Sequence, residues 1–275
     1  MFARPAYAIL LLPLLAACDA REQGPRQVRE GAFTYQSPMV SGAVLHVRTA
    51  RGDITVEPAS DDTLRVRGDV SWVGTGDPMD GISLSGSEVA DGVLICATWG
   101  STTCTADEYN AKLSGRSRST KVHYSISVPT GVRLDLIGLD GDITSASTAS
   151  VMAKSLNGNV TVVTSRGPVR AETLNGDVDA RMSSLDGTDS VIVKTLNGEA
   201  WVFLPEAASI ALDLTTTNGS FVTDFPALVT AAAGKKNVQA TLGAGTTPVR
   251  VRSMNGTVGV RRLDAMGRAY EMQRP

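Results

Sequence analysis

The sequence is poor in the residues from which most catalytic sites are built. Aromatic residues make up 5% of the 275 residues, and there are only two histidines and three cysteines. Hydrolase, metalloprotease and phosphate-loop motifs (Gly-x-Ser-x-Gly, His-Glu-x-x-His, Gly-Lys-Ser/Thr) are absent. There is no Cys-x-x-Cys pair for redox or metal chemistry. We therefore expect no cofactor, no metal and no catalytic residue.

The sequence also lacks a strong charge of either sign. Its formal net charge is −2 at pH 7, so no bulk attraction to a polyanion is expected. The composition predicts no nucleic-acid partner.

The N-terminal segment indicates a lipid anchor. Residues 1–17 have a basic Arg4 followed by an apolar stretch too short to span a bilayer as a permanent helix. The ending Leu15-Ala16-Ala17-Cys18 resembles the bacterial lipobox, which implies cleavage before Cys18 and its acylation, for example with palmitate. An ordinary secretory signal with a chance cysteine is the alternative. Residues 18–31 then form the lipidated cysteine and a polar tether.

The second half of the chain repeats one phrase: a small polar residue, an apolar residue, Asn-Gly, and then alternating residues. The repeated pairs are Asn157-Gly158, Asn175-Gly176, Asn197-Gly198, Asn218-Gly219 and Asn255-Gly256, preceded by a looser copy at Asp140-Gly141. A period near twenty residues with period-two alternation predicts a β-solenoid. Asn tolerates the left-handed region and Gly adopts it freely, so Asn-Gly supplies the corner. The alternative is a series of Asn-Gly hairpins. The last interval is about twice as long and predicts one degenerate coil.

Stacked coils would align the five asparagines as a ladder. Such a row is either a structural amide ladder at the corner or a ligand-binding strip. The same reasoning predicts corners at Gly52 and Gly68, which interprets Arg51-Gly52-Asp53 as a corner and not as an adhesion tripeptide.

The N-terminal half contains a less regular β insertion, residues 72–120, with two of the three tryptophans. Cys96 and Cys104 lie close in sequence there, and in an oxidising compartment they are expected to form a disulfide, with free thiols as the alternative. The predicted organisation is a leader (1–17), a tether (18–31), a solenoid (32–262, with insertion 72–120) and a C-terminal tail or cap (263–275).

The region from Lys121 onward resembles a known family. An alternating strand ends at Val128-Pro129, a strand with Leu134 and Leu136 follows, and then the Asn-Gly coils begin. This succession resembles the bacterial putative-adhesin β-solenoid family, a domain of unknown function, over about residues 45–260. The resemblance implies an all-β parallel solenoid and carries no catalytic residues.

Three candidate groups remain to be tested. His46 and His123 are each expected to point outward from a strand as surface residues. Stacking would align Asp142, Asp177 and Glu199 into an acidic column, which is the one enzymatic or calcium-binding hypothesis the sequence offers. Trp72, Trp99 and Trp201 could form an aromatic strip for binding.

We therefore expect a membrane-anchored envelope lipoprotein, facing the periplasm or cell exterior, whose solenoid binds or displays a protein or glycan partner without catalysis. Two alternatives remain open: a carbohydrate-active enzyme on the same scaffold, and a regulatory lipoprotein that binds a membrane partner.

Overall fold

The computed structural model describes residues 28–73, 79, 81–111, 120–186, 188–228 and 236–263. The predicted leader, Cys18 and residues 264–275 of the predicted cap lie outside these ranges. Strand β1 takes up residues 28–31, which the sequence analysis assigned to the tether. Within the described residues, no helix is long and apolar enough to cross a bilayer.

The described residues form 22 strands. These are β1 Val28–Pro38, β2 Val44–Arg51, β3 Ile54–Pro58, β4 Thr63–Val73, β5 Ile82–Val89, β6 Gly92–Trp99, β7 Thr103–Cys104, β8 Tyr109–Asn110, β9 Thr120–Val128, β10 Arg133–Asp140, β11 Ile143–Ser147, β12 Val151–Lys154, β13 Val160–Thr164, β14 Val169–Glu172, β15 Val178–Met182, β16 Val191–Asn197, β17 Ala200–Pro205, β18 Ile210–Asn218, β19 Phe221–Thr223, β20 Asn237–Leu242, β21 Thr247–Asn255 and β22 Val258–Leu263.

Two ten-stranded sheets face each other across one core. The first sheet has the order β1-β4-β9-β3-β11-β13-β15-β17-β22-β19, and the second has the order β20-β18-β21-β16-β14-β12-β10-β2-β6-β5. Strands β7 and β8 form a separate hairpin. Each coil of the solenoid contributes one strand to each sheet.

The coils stack in parallel and in register. Val160 pairs with Val178, and Val151 pairs with Val169, so equivalent residues of successive repeats lie side by side. This confirms the stacked-coil prediction and excludes the hairpin alternative for these repeats. Small aliphatic side chains such as Val162 and Ala180 alternate into the core and are fully buried, which suits a narrow space between two sheets.

The N-terminal end is closed by antiparallel strands. A coil made of β6 and β9 stacks outside the β2–β3 coil, and β4, β1 and β5 then add to its exposed edges. Residues 72–120 therefore supply two strands of the second sheet. The predicted corner at Gly68 is wrong, because β4 runs straight through Gly68, whose Cα pairs with that of Phe33. The added strands β1 and β5 become the edge strands of the two sheets at this end.

The C-terminal end corrects the prediction of a degenerate coil. The chain runs from β17 out to the last coil, β18–β19, turns back through the antiparallel β20, and then inserts β21–β22 beneath that coil. The interval between Gly219 and Gly256 is long because it contains β20 as well as β21. In space, the Asn255 coil lies between those of Asn197 and Asn218.

Candidate functional site

The Asn-Gly corner forms a continuous structural strip. The amide Nδ2 of Asn175 donates to Oδ1 of Asn157 at 2.8 Å, and Asn197 donates to Asn175 at 2.7 Å. Asn255 donates to Asn197 at 2.7 Å, and Asn218 donates to Asn255 at 2.8 Å. The five predicted asparagines are thus brought together as one amide ladder.

Four of the five glycines in the Asn-Gly pairs have a positive φ; Gly219 is the exception. No described non-glycine residue has a positive φ, so the corner does not use the tolerance of asparagine for this region. Gly158 and Gly176 have φ of +147° and +140°. A Cβ at Gly176 would lie 2.3 Å from the carbonyl oxygen of Gly158. Glycine is required both by the φ angle and by this close approach of stacked coils.

A second ladder at the corner was missed by sequence reasoning. Thr173 Oγ1 donates to the carbonyl of Gly158, Thr195 Oγ1 to that of Gly176 and Ser253 Oγ to that of Gly198, each at 2.8 Å. The small polar residue two positions before each asparagine was the available signal. These hydroxyls satisfy the glycine carbonyl groups of the corner.

The acidic column is occupied by backbone hydrogen bonds. Asp142 Oδ1 accepts the N–H of Asn159 at 2.7 Å, and Asp177 Oδ1 accepts the N–H of Glu199 at 2.8 Å. In the coil between them, the amide oxygen Oδ1 of Asn159 accepts the N–H of Asp177 at 2.9 Å, so this bond does not require a carboxylate. The part of the chain that is described holds no group of three or more His, Cys, Asp or Glu suited to a metal ion. Asp142, Asn159 and Asp177 therefore join the backbones of successive coils at the corner.

The predicted aromatic strip is not formed by the three tryptophans. Trp72 is 5% exposed and Trp99 is 1% exposed, so both belong to the core. Only Trp201 lies on an outer face, on β17 of the first sheet. A Cβ on its register neighbour Gly259 would lie 1.9 Å from the indole ring, so the ring rests on the bare backbone of the next coil.

Charged and aromatic side chains surround Trp201. The Arg261 guanidinium carbon lies 4.6 Å from the indole centroid, and that of Arg181 lies 4.8 Å from the Phe203 centroid. The two ring centroids are 6.4 Å apart. The indole Nε1 donates to Glu199 Oε2 at 2.9 Å. We call Arg181, Glu199, Trp201, Phe203 and Arg261 the Trp201 cluster.

The repeat positions the residues of the Trp201 cluster, although the sequence pointed only to Trp201 and Glu199, in separate hypotheses. Arg181, Phe203 and Arg261 each lie five residues after a corner glycine, so they align across three coils. Guanidinium–aromatic pairs of this kind fix a flat, partly exposed surface suited to binding. Beside the cluster, burial raises the pKa of Asp179, and the Arg181 charge only partly opposes this shift.

The prediction that both histidines are surface residues holds for His123 and is wrong for His46. His123 lies at the surface, with its side chain 41% exposed and its Nδ1 3.1 Å from Asp53. His46 does leave its strand on the outer face, yet it is 6% exposed. Its Nδ1 lies 2.8 Å from Asp135 Oδ2, and its Nε2 lies 3.1 Å from Asp91 Oδ1.

Asp91, just before β6, and Ala106, after β6, cover the outer face of β2, where His46 and Arg48 lie. The guanidinium of Arg48, 1% exposed, hydrogen-bonds Asp135 and the carbonyl of Ala106. Tyr109 donates to the carbonyl of Ala97 at 2.8 Å. Cys96 is joined to Cys104 by a disulfide, with Cα atoms 6.3 Å apart. These contacts hold the hairpin β7–β8 against the second sheet. The buried polar network of His46, Arg48 and Asp135 therefore has a structural role.

A shallow depression of about 380 Å³ lies on the first sheet near the N-terminal end. Hydroxyl, amide and charged side chains line it, including Thr34, Gln36, Thr55, Glu57 and Arg65. Arg65 is held by Asp61, and this hydrogen bond lowers the pKa of Asp61 to about 2. The depression offers polar contacts but no aromatic platform.

Two solved structures are similar to the chain. The "putative cell adhesion protein" of Clostridium sporogenes ATCC 15579 is similar at 11% identity, covering 86% of this chain and 100% of its own, with a TM-score of 0.39. The "putative adhesin" of Bacteroides fragilis NCTC 9343 is similar at 11% identity, covering 84% and 97%, with a TM-score of 0.41. No curated protein matches the chain.

The family model "Toastrack DUF4097" matches residues 38–261. This span includes all five Asn-Gly corners and every strand except most of β1 and the last residues of β22. The chain belongs to the Toastrack DUF4097 family.

Proposed function

We propose that this protein is a lipid-anchored envelope protein whose β-solenoid is a rigid, non-catalytic scaffold that presents a surface to a protein or glycan partner. The Trp201 cluster is the observation that carries the proposal. It places a partly exposed indole and two guanidinium groups on a flat sheet whose backbone cannot move independently of its neighbours.

The corner chemistry supports binding over catalysis. Asp142 and Asp177 each use Oδ1 to accept a backbone N–H of the next coil. Asn159 makes the same bond in the coil between them, so the column is interrupted by an amide, which can serve neither as a general acid nor as a general base. Membership of the Toastrack family supports an adhesin-like scaffold.

The anchor in this proposal rests on Leu15-Ala16-Ala17-Cys18. Acylation there would hold the solenoid at a membrane without a spanning helix. We expect the wild-type chain to fractionate with membranes and to carry acyl groups detectable by mass spectrometry. Cys18→Ser should abolish both signals; unchanged acylation would contradict the anchor.

The binding surface is tested by crosslinking in intact envelopes together with a glycan-binding screen of the purified chain. Trp201→Ala should reduce capture of the partner at least tenfold, because truncating a central aromatic contact costs roughly 2 kcal/mol. Val163→Ala is the matched control, since Val163 is exposed on the same face and in the same column as Arg181. Equal loss in both variants, or no loss in either, would refute the Trp201 cluster as the binding surface.

A further inference from the structure

Along the Asn-Gly side of the second sheet, a column of exposed or half-buried apolar side chains lies next to the Asn ladder. The column consists of Leu156, Leu174, Leu196 and Met254, the residues just before four of the ladder asparagines. Leu156, Leu174 and Met254 are 43%, 38% and 48% exposed. They are three of the six large hydrophobic side chains found exposed in the described ranges. Such clustering marks an interaction surface.

Basic side chains flank this column on the same outer face. Lys154, Lys194 and Arg252 lie two residues before an apolar column residue, and Arg170 and Arg250 lie four before one. Because side chains alternate along a strand, all five share the outer face with the apolar column. We call the apolar column and these five residues the basic-apolar face.

Only part of this positive charge is balanced locally. Arg170 pairs with Glu172 at 2.9 Å, whereas Arg250 and Arg252 share the single carboxylate of Asp213, at 3.4 and 3.0 Å. Five bases therefore face two acids, in a chain whose net charge is −2. The acidic column lies on the far side of the Asn ladder, where the backbone holds its carboxylates.

We propose that the basic-apolar face lies against an anionic lipid surface, with the apolar column entering the headgroup layer and the lysines and arginines contacting lipid phosphates. Aliphatic side chains beside lysine and arginine form the pattern that binds anionic interfaces. A second copy of the chain fits less well, because facing the two surfaces would bring like charges together. The proposal rests on the proposed anchor, which places the solenoid beside a membrane.

The orientation follows from the stacking. The apolar column runs parallel to the solenoid axis, about 4.8 Å per coil. Contact along the whole column would lay the solenoid flat on the membrane and turn the Trp201 cluster, on the opposite sheet, away from the lipid. The partner surface would then remain accessible.

The test uses the mature, acylated full chain on vesicles of phosphatidylcholine, alone or mixed with phosphatidylglycerol. Leu174→Cys introduces one free thiol for an environment-sensitive fluorophore, since Cys96 and Cys104 are joined in a disulfide. Val163→Cys, 41% exposed on the opposite sheet, is the matched control. We expect a severalfold rise in emission at position 174 on the mixed vesicles only, and no change at position 163.

A charge variant separates electrostatic contact from general proximity. Lys154→Gln with Lys194→Gln should at least halve the rise at position 174, as should raised salt. Equal signals at both positions, or on both vesicle types, would overturn the proposal. A concentration-dependent rise without vesicles would show a second copy on this face and would also overturn it.

Flotation of the same samples distinguishes the two proposals. A chain that floats on both vesicle types with an unchanged probe at position 174 contradicts the basic-apolar face and leaves the anchor intact. A chain that floats on neither contradicts both.

Discussion

The two turns of each coil differ in how constant their length is. At the Asn-Gly corner, β12, β14 and β16 each begin seven residues before their glycines, Gly158, Gly176 and Gly198, and the next strand begins two residues after the glycine. At the opposite turn, the link between β13 and β14 is four residues (165–168), whereas the link between β15 and β16 is eight (183–190). The uneven spacing of the glycines therefore arises at the opposite turn.

The physical reason is contact between coils. At the corner, each coil donates and accepts hydrogen bonds with the coils on both sides, and its glycine touches the backbone of its neighbour. An extra residue there would disrupt three coils. The opposite turn also contacts its neighbour, through the Thr188 hydroxyl and the Gly167 carbonyl, but Asp186 and Asp189 are exposed, and an extra residue beside them costs little more than loop entropy.

The largest expected effect comes from changing the corner length. One alanine inserted between Asp177 and Val178 shifts β15 by one residue, which moves Val178, Ala180 and Met182 from the core to the solvent. We expect loss of cooperative unfolding by circular dichroism. The same insertion between Asp189 and Ser190 should cost less than about 1 kcal/mol in urea unfolding. Equal costs would abolish the distinction between the two turns.

A smaller effect is expected for Gly176→Ala. The added Cβ would lie 2.3 Å from the Gly158 carbonyl oxygen at a φ of +140°, so we expect a loss of about 3 kcal/mol or more in unfolding free energy. Gly42→Ala is the control, because Gly42 has a φ of +89° but nothing within 4 Å of its Cβ. Its cost should stay near 1 kcal/mol; equal costs would show that φ alone matters and the stacking contact does not.

Sequence reasoning could predict the stacked coils because each coil repeats a local requirement. Gly158, Gly176 and Gly198 recur where only glycine fits, and alternating valines identify the core face. The return of β20–β22 into the stack could not be predicted, because β21 has the same pattern whether it lies inside the stack or at its end. The burial of His46 was missed for a related reason: the outer face of β2 is covered by residues distant in sequence, Asp91 and Ala106.

The amide ladder should contribute less than the glycine contact. Asn175→Ala removes one bond to Asn157 and one from Asn197 at an exposed corner, so we expect a loss of about 1 kcal/mol. Asn237→Ala removes a single bond to Thr215 outside the ladder and should cost about half as much. Urea unfolding of the two variants and the native chain at one pH measures both losses of unfolding free energy. A ladder variant no weaker than the control would show that the amides add nothing by stacking.

The smallest effect compares two carboxylates on the same coil. Asp177→Asn keeps the acceptor that Asn159 provides in the neighbouring coil, so the unfolding free energy should change by less than about 0.5 kcal/mol. Asp179 differs because burial raises its pKa, which means that its charge opposes folding at pH 7. The native chain should lose this part of its stability as the pH rises from the ordinary carboxyl value of 3.8 through the raised value.

Asp179→Asn should therefore stabilise the protein at pH 7 and have no such effect at about pH 3, where the carboxyl is protonated in both folded and unfolded chains. Urea unfolding of both variants at the two pH values measures the difference. A gain for Asp179→Asn that is equal at both pH values would mean that the side chain acts through packing. A gain for Asp177→Asn as large as that for Asp179→Asn would mean that the corner carboxylates are not held by the backbone as the hydrogen bonds indicate.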